Sequence, residues 1–290
     1  MIREIQAKTM LSKVPGDDRL FGLTYNLNLY RGCPHGCIYC DSRSECYQIE
    51  NFDDILVKIN AVELLDKELR SKRVIGTIGF GSMSDPYLPV EKHYNLTRRA
   101  LQVLVKHHFP AHIITKSDLV LKDLDVLMEV SEVFLSVGFT LTTTDDDLAR
   151  KIEPYAPLPS ARLSAMRVLA DNGIYAGTVM MPILPFLEDN PQNITAIVEQ
   201  TAAHGGQFII PWLGMSLRDR QRAYYYEQLK QHFPGLKEKY ARQFGESYGA
   251  PANQAKALER LLRQECAKHG IDMAIRRFEP RKKVDQLSLW

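Results

Sequence analysis

Long apolar runs are missing from this 290-residue chain. No stretch approaches the roughly 18 consecutive apolar residues that mark a membrane-spanning helix, so no membrane span is expected. The opening MIREIQAKTMLSKVPGDD lacks the apolar stretch of a secretory signal. An excess of one charge is missing too: 37 Lys and Arg against 35 Asp and Glu leave a formal charge of +2. That balance is too mild to indicate nucleic acid and does not exclude it. Cysteines are few, five in all, and an odd number does not make a secreted disulfide framework. A soluble cytoplasmic protein with reduced thiols is the expectation.

What is present is a regular alternation. Strand-like runs lie at 24–30, 74–81, 111–115, 133–139, 175–181 and 207–213. Helical patterns near 53–70, 95–108, 122–130, 160–172 and 192–203 sit between them, with apolar residues three and four apart. Leu96, Ala100, Leu101, Leu104 and Val105 form one such stripe. Strand–helix alternation implies right-handed crossovers and a parallel sheet. Six strands are too few for a closed eight-stranded barrel, so an α/β fold with a partial (β/α)6 barrel of the TIM type is expected, an open doubly wound sheet being the other fit. The strand pattern stops near 216. The reading is therefore an N-terminal segment 1–21, a barrel 22–215 and a helical C-terminal extension 216–290 with another helix at 252–269.

Three cysteines crowd together as Cys33-x-x-x-Cys37-x-x-Cys40, directly after the first candidate strand, where α/β barrels place active residues. Zinc would take four ligands, with His35 or Cys46 completing the set. Zinc sites usually pair two C-x-x-C knuckles, however, and the remaining Cys266 stands alone. An iron–sulfur cluster also takes thiolates, and three of them would leave one iron of a four-iron cluster open for a ligand.

The C-x-x-x-C-x-x-C spacing, with Tyr39 before the third cysteine, resembles the signature of the radical S-adenosylmethionine superfamily. The segments NLYRGCPHGCIYCDSRS, GSMSDPYLPVEKHYNLTR, IITKSDLVLKDLDVL and MMPILP are further similar to the DNA repair photolyase-like relatives of spore photoproduct lyase. That resemblance implies a [4Fe-4S] cluster held by Cys33, Cys37 and Cys40. It also implies S-adenosylmethionine on the open iron, an external electron donor, and a 5′-deoxyadenosyl radical. Carried over residue by residue, it implies that Tyr39, Ser84, Asp85, Lys116 and Ser136 contact the cofactor. Each also has a plain structural alternative: a core aromatic, turn residues before Pro86, a surface lysine, a small packing residue. Damaged or modified nucleic acid, with DNA as partner, is the implied substrate; a protein or small-molecule substrate is the alternative, and a non-catalytic zinc module the alternative of another class.

One departure matters. Spore photoproduct lyase carries a cysteine near its Ser-Asp that returns a hydrogen atom to the product, and Ser82 stands at that place here. Cys46 is the other thiol close in sequence. Glu153 and Arg162 are expected to pair near the barrel mouth. Arg218, Arg220 and Arg222 interleave with Tyr224, Tyr225 and Tyr226 as nucleic-acid surfaces do, although an ordinary solvated helix has the same pattern. Finally, Gln286, Leu287, Leu289 and Trp290 resemble the pentapeptide with which bacterial repair proteins dock on the sliding clamp, behind the basic Arg281, Lys282 and Lys283.

Overall fold

The computed structural model describes residues 1–280. The clamp-like residues 286–290 and their basic neighbours lie outside the described residues.

The chain opens with β1 (Ile2–Ile5), β2 (Leu11–Lys13), β3 (Tyr25–Leu27), β4 (Tyr30–Arg31) and β5 (Ile55–Lys58), the cysteine segment lying between β4 and β5. Helix and strand then alternate through α1 (Ala61–Ser71), β6 (Ile78–Phe80), α2 (Glu91–Tyr94), α3 (Leu96–His107), β7 (Ala111–Thr115), α4 (Leu124–Ser131) and β8 (Leu135–Thr140). The alternation ends with α5 (Asp146–Ile152), α6 (Pro159–Asp171), β9 (Tyr175–Met180), α7 (Pro191–Ala203) and β10 (Phe208–Pro211). Last come β11 (Gly214–Ser216), α8 (Asp219–His232), α9 (Leu236–Phe244), β12 (Gly249–Pro251) and α10 (Ala255–His269).

All six expected strands join one sheet, in the order β10-β9-β8-β7-β6-β3, each pair parallel, with β2 added antiparallel to β3. The first and last parallel strands do not pair among the described residues, so the sheet is a partial barrel. Every residue of β8 and β9 is buried. Such strands, covered on both faces, are what βαβ crossovers produce. On α3, the stripe of Leu96, Ala100, Leu101 and Leu104 is buried, and Val105 packs beside it. Burying each leucine-sized side chain contributes about 1.5–3 kcal/mol, which is what fastens this helix to the sheet.

Three expectations need correction. The helix expected from 53 begins only at Ala61, because Ile55 and Val57 alternate with half-buried neighbours at the period of a strand. This strand, β5, pairs with β1 and β4 in a separate three-stranded sheet. Residues 1–21 therefore do not stand apart: β1 lies on β5, and β2 on β3. The C-terminal extension is helical as expected but also contains the β11–β12 ribbon, and it is built into the barrel. Leu258, Leu262 and Cys266 of α10 are buried in the main core, and Asp272 hydrogen-bonds through its backbone to Gln207 and Ile209 beside the last barrel strand.

The Arg and Tyr residues of α8 are mostly committed internally. The buried Tyr225 donates to Tyr240 Oη at 2.9 Å, and Arg220 donates to the Ile49 carbonyl at 3.2 Å. Arg218 pairs with Asp41 at 3.0 Å, and Arg222 pairs with Glu246. This face docks the extension on the cysteine segment. If α10 belongs to the barrel core, Leu262→Ala should cost about 2–5 kcal/mol in denaturant unfolding while leaving one cooperative transition; a separate early transition would show a detached extension.

Candidate active site

Two glycines shape the cysteine segment. Gly32 has φ +79°, and a Cβ there would lie 1.9 Å from the Asp54 carbonyl oxygen. Gly36 has φ +68°, and its Cβ would meet the Tyr155 ring at 2.8 Å. Only glycine lets the chain run this close to its neighbours. Backbone hydrogen bonds then anchor the segment at both sides: Cys33 N donates to Phe52 O at 2.9 Å, Ile38 N to Ile152 O at 2.9 Å, and Tyr155 N to His35 O at 3.1 Å. Gln221 of α8 caps it from above, donating to the Tyr39 carbonyl at 3.1 Å.

Cys33, Cys37 and Cys40 converge on a cavity of about 130 Å³, which Gly81, Ser82, Ser84, Asp85, Lys116 and Thr140 also line. These residues come from the C-terminal ends of β6, β7 and β8, the barrel mouth. Burial raises the pKa of all three thiols, that of Cys37 to about 12. As thiolates they require a cation in contact, which a bound metal supplies. Four tetrahedral Zn–S bonds would set sulfurs about 3.8 Å apart. Among the described residues, the only group of three ligand atoms within 4.8 Å of one another is Glu199, Glu265 and His269. At least one pair of the three thiols is thus more than 4.8 Å apart, wider than a single zinc ion draws them. They suit a cluster that takes one thiolate on each of three irons.

Two buried acids hold this mouth together. Asp85 accepts from His35 Nε2 at 3.2 Å, Thr115 Oγ1 at 2.7 Å, the Lys116 backbone N–H at 2.7 Å and the Tyr87 N–H at 2.8 Å. Burial pushes its carboxyl up, but the hydrogen bonds from His35, Lys116 and Thr115 prevail and hold its pKa at about 2. Glu153 accepts from Tyr39 Oη and from the buried Arg162, with Lys116 Nζ 3.9 Å away. Arg162 also donates to the carbonyls of Pro157 and Thr140 at 2.7 and 2.8 Å. Burial opposes the charge of Lys116, while Cys37 and Glu153 favour it, and its pKa rises.

Below the cysteines a larger chamber of about 350 Å³ opens inside the barrel. It shares Cys40, Gly81, Ser82, Ile114, Lys116 and Thr140 with the cysteine cavity and has largely apolar walls. Trp212, 47% exposed, lies where it meets solvent.

The structure brings Tyr39, Lys116 and Ser84 to this mouth. Lys116 and Tyr39 line the chamber, with Lys116 Nζ 5.7 Å from the Tyr39 ring centre, and Ser84 Oγ donates to the Gly32 carbonyl at 2.6 Å. Asp85 is present but has its oxygens engaged by protein donors. Two placements correct the sequence reading. Ser136 sits near the N-terminal end of β8, fully buried against His112, and lines neither cavity; four residues on, Thr140 lines both. Cys46 is exposed, contacting Ser44 at 3.4 Å and Arg218 at 3.3 Å outside both cavities, so it is not placed to return a hydrogen atom there. Ser82 lines both and lies 3.2 Å from Asn28 Oδ1. Sequence reasoning missed Thr140, His112, Trp212 and Gln221. An imidazole inside the otherwise apolar stretch Ala111–Ile114 was a signal for His112; nothing local marked Gln221.

Glu153→Ala should leave Arg162 buried without its acid, costing about 3–5 kcal/mol in unfolding and lowering the iron bound on anaerobic reconstitution. A variant with wild-type stability would show that Glu153 does not carry the mouth. His112 supplies a separate prediction. Burial lowers its pKa to about 4, against the pull of Asp18. The unfolded chain therefore binds the extra proton first, and stability falls as pH drops from about 6.5 to about 4, by roughly 3 kcal/mol at the end of that window. Replacing His112 with Gln should flatten unfolding free energy across that window, and an unchanged slope would contradict it.

Comparison with known proteins agrees with this geometry. An uncharacterized protein of Methanocaldococcus jannaschii is 32% identical over 232 residues, which cover 78% of this chain and 83% of that protein. An uncharacterized protein of Mycobacterium tuberculosis is 29% identical over 278 residues, covering 92% and 81%. A spore photoproduct lyase mutant, solved with bound AdoMet and dinucleoside spore photoproduct, shares the fold with a TM-score of 0.71 at 16% identity, over 93% of this chain and 81% of that one. The radical SAM superfamily model matches residues 27–196, from the end of β3 into the first half of α7, and the chain belongs to that superfamily, whose members use a [4Fe-4S] cluster and S-adenosylmethionine.

Proposed function

We propose that this radical SAM enzyme acts on a damaged or modified nucleic acid, as a spore photoproduct lyase-like protein. The observation that carries the reading is the apolar chamber directly under the cysteine mouth, open to solvent at Trp212 and sharing Lys116, Ser82 and Thr140 with the cysteine cavity. A planar base extruded from a strand fits walls of this kind. The likeness of fold to a lyase solved with a dinucleoside supports the same reading.

Cys33, Cys37 and Cys40 would hold the cluster. Bound there, the cluster and S-adenosylmethionine supply reductive cleavage of the sulfonium and so a 5′-deoxyadenosyl radical. The chain's own residues do the rest. Lys116 offers a cation on a flexible stem to the carboxylate of the methionine moiety. Glu153 and Arg162 hold Tyr39, and through it the segment bearing Cys37 and Cys40. The apolar walls keep water from a radical. Ser82 puts a hydroxyl where lesion reversal would need a thiol, and an O–H bond gives up its hydrogen atom far less readily. Modification or opening of an altered base is therefore favoured over repair of the thymine spore lesion itself.

The near-balance of 37 basic and 35 acidic residues favours a second reading, modification of a protein or small molecule. Anaerobic reconstitution should give a broad visible absorbance that Cys40→Ala abolishes. The reduced enzyme, given S-adenosylmethionine and oligonucleotides with altered bases, should then release 5′-deoxyadenosine and change the base mass. Release of 5′-deoxyadenosine with every oligonucleotide left intact would turn the assignment to the second reading, and a colourless zinc-loaded protein would overturn both.

A further inference from the structure

Strand β7 sends alternate side chains into the barrel, so His112, Ile114 and Lys116 stack up its inner face and line one chamber. Lys116 ends the row beside the cysteines. His112 lies four residues below, about 13 Å along the strand. Its Nδ1 is 2.7 Å from Ser136 Oγ, and Phe21 stacks on the ring with centroids 5.1 Å apart. These contacts fix the orientation of the imidazole. Its Nε2 is fully buried and has no hydrogen-bond partner among the described residues. A buried polar atom left unpaired loses its water and gains nothing in return, unless a ligand or an ordered water completes it.

The surroundings narrow the ligand. Burial lowers the pKa of His112, so the ring is neutral at neutral pH. The walls around it are apolar, with Phe21, Leu23, Phe80 and Val179 among them. The charged lining groups, Asp41 and Lys116, lie at the cysteine end. An anion or cation at the His112 end would be buried without a counter-charge on the lining, which is costly. A flat, uncharged ring with one polar edge meets no such penalty.

We propose that His112 is a specificity-determining residue: its Nε2 hydrogen-bonds the polar edge of an uncharged heteroaromatic ring that enters past Trp212 and lies in the chamber below Lys116. This deepens the proposed function and rests on the chamber being the substrate site. Ser136 then acts through His112 as a positioning residue, in place of the cofactor contact that its sequence position suggests.

The test compares ring pairs of equal shape on the reconstituted protein with S-adenosylmethionine bound. The pairs are thymidine against its difluorotoluene isostere, and indole against indene, with binding read by calorimetry. The wild type should prefer the hydrogen-bonding member of at least one pair by about tenfold or more, the value of one buried hydrogen bond. His112→Phe should reduce that preference to within about twofold, and His112→Gln, which keeps a polar end, should retain more of it. S-adenosylmethionine affinity should stay level in both, which separates this effect from a damaged fold. If His112→Phe fails to bind S-adenosylmethionine, His112→Gln and His112→Leu decide by the same comparison. Preference for indole with none for thymidine would sustain His112 and defeat the nucleic-acid reading. A preference unchanged in the variants, or absent for both pairs in the wild type, would overturn the proposal and assign Nε2 to an ordered water.

Discussion

The mouth of this barrel depends on buried carboxylates, Glu153 first among them. Glu153 takes a hydrogen bond from Tyr39 of the cysteine segment and an ion pair from Arg162 of α6, and it lies beside Lys116 at the end of β7. Alone, any of these charges would be driven out of the interior or neutralised by desolvation. Together, with Arg162 also bonded to two backbone carbonyls, they satisfy one another. The result ties the segment carrying the thiols to three elements that come from distant parts of the chain. These side-chain ties add to the backbone hydrogen bonds that already anchor the segment at Cys33, His35 and Ile38.

Asp85 repeats the device on the opposite side, joining His35 of the cysteine segment to Thr115 and the Lys116 backbone. The cysteine segment is thus clamped between two buried acids, each of which also touches the residues around Lys116. This explains why the lysine stands where it does. A cation in an apolar mouth needs anions near it, and Glu153 supplies one before any cofactor arrives. Preorganisation of this kind spares the reorganisation that binding would otherwise require.

Much of this was legible in the residues. The six parallel strands follow from short strand-like runs separated by helical patterns, since those patterns are local and each run is long enough to declare itself. The cysteine triplet was legible for the same reason, because its spacing lies within eight residues. Lys116 and Tyr39 were placed through the resemblance, and the structure sets both at the mouth. Ser136 and Cys46 were misplaced, because nearness in sequence, or a match at one position, says little about which end of a strand a side chain occupies. The strand β5 was hidden inside a helix pattern for a related reason. Four residues are too short to display a period when an amphipathic helix follows directly.

By itself, then, the sequence determined the fold class, the superfamily and the crowding of three thiols that could hold its cluster. These rest on patterns within short windows. Tertiary structure alone decided that Glu153, Arg162 and Tyr39 form one buried network. It alone brought Gln221 of a C-terminal helix onto the cysteine segment, and left one imidazole nitrogen unpaired in an apolar chamber. Those features arise where residues from different elements are buried together, Tyr39 with Glu153 and with Gln221 across more than a hundred positions, and burial is what turns an ordinary acid, amide or imidazole into a demand for a particular partner.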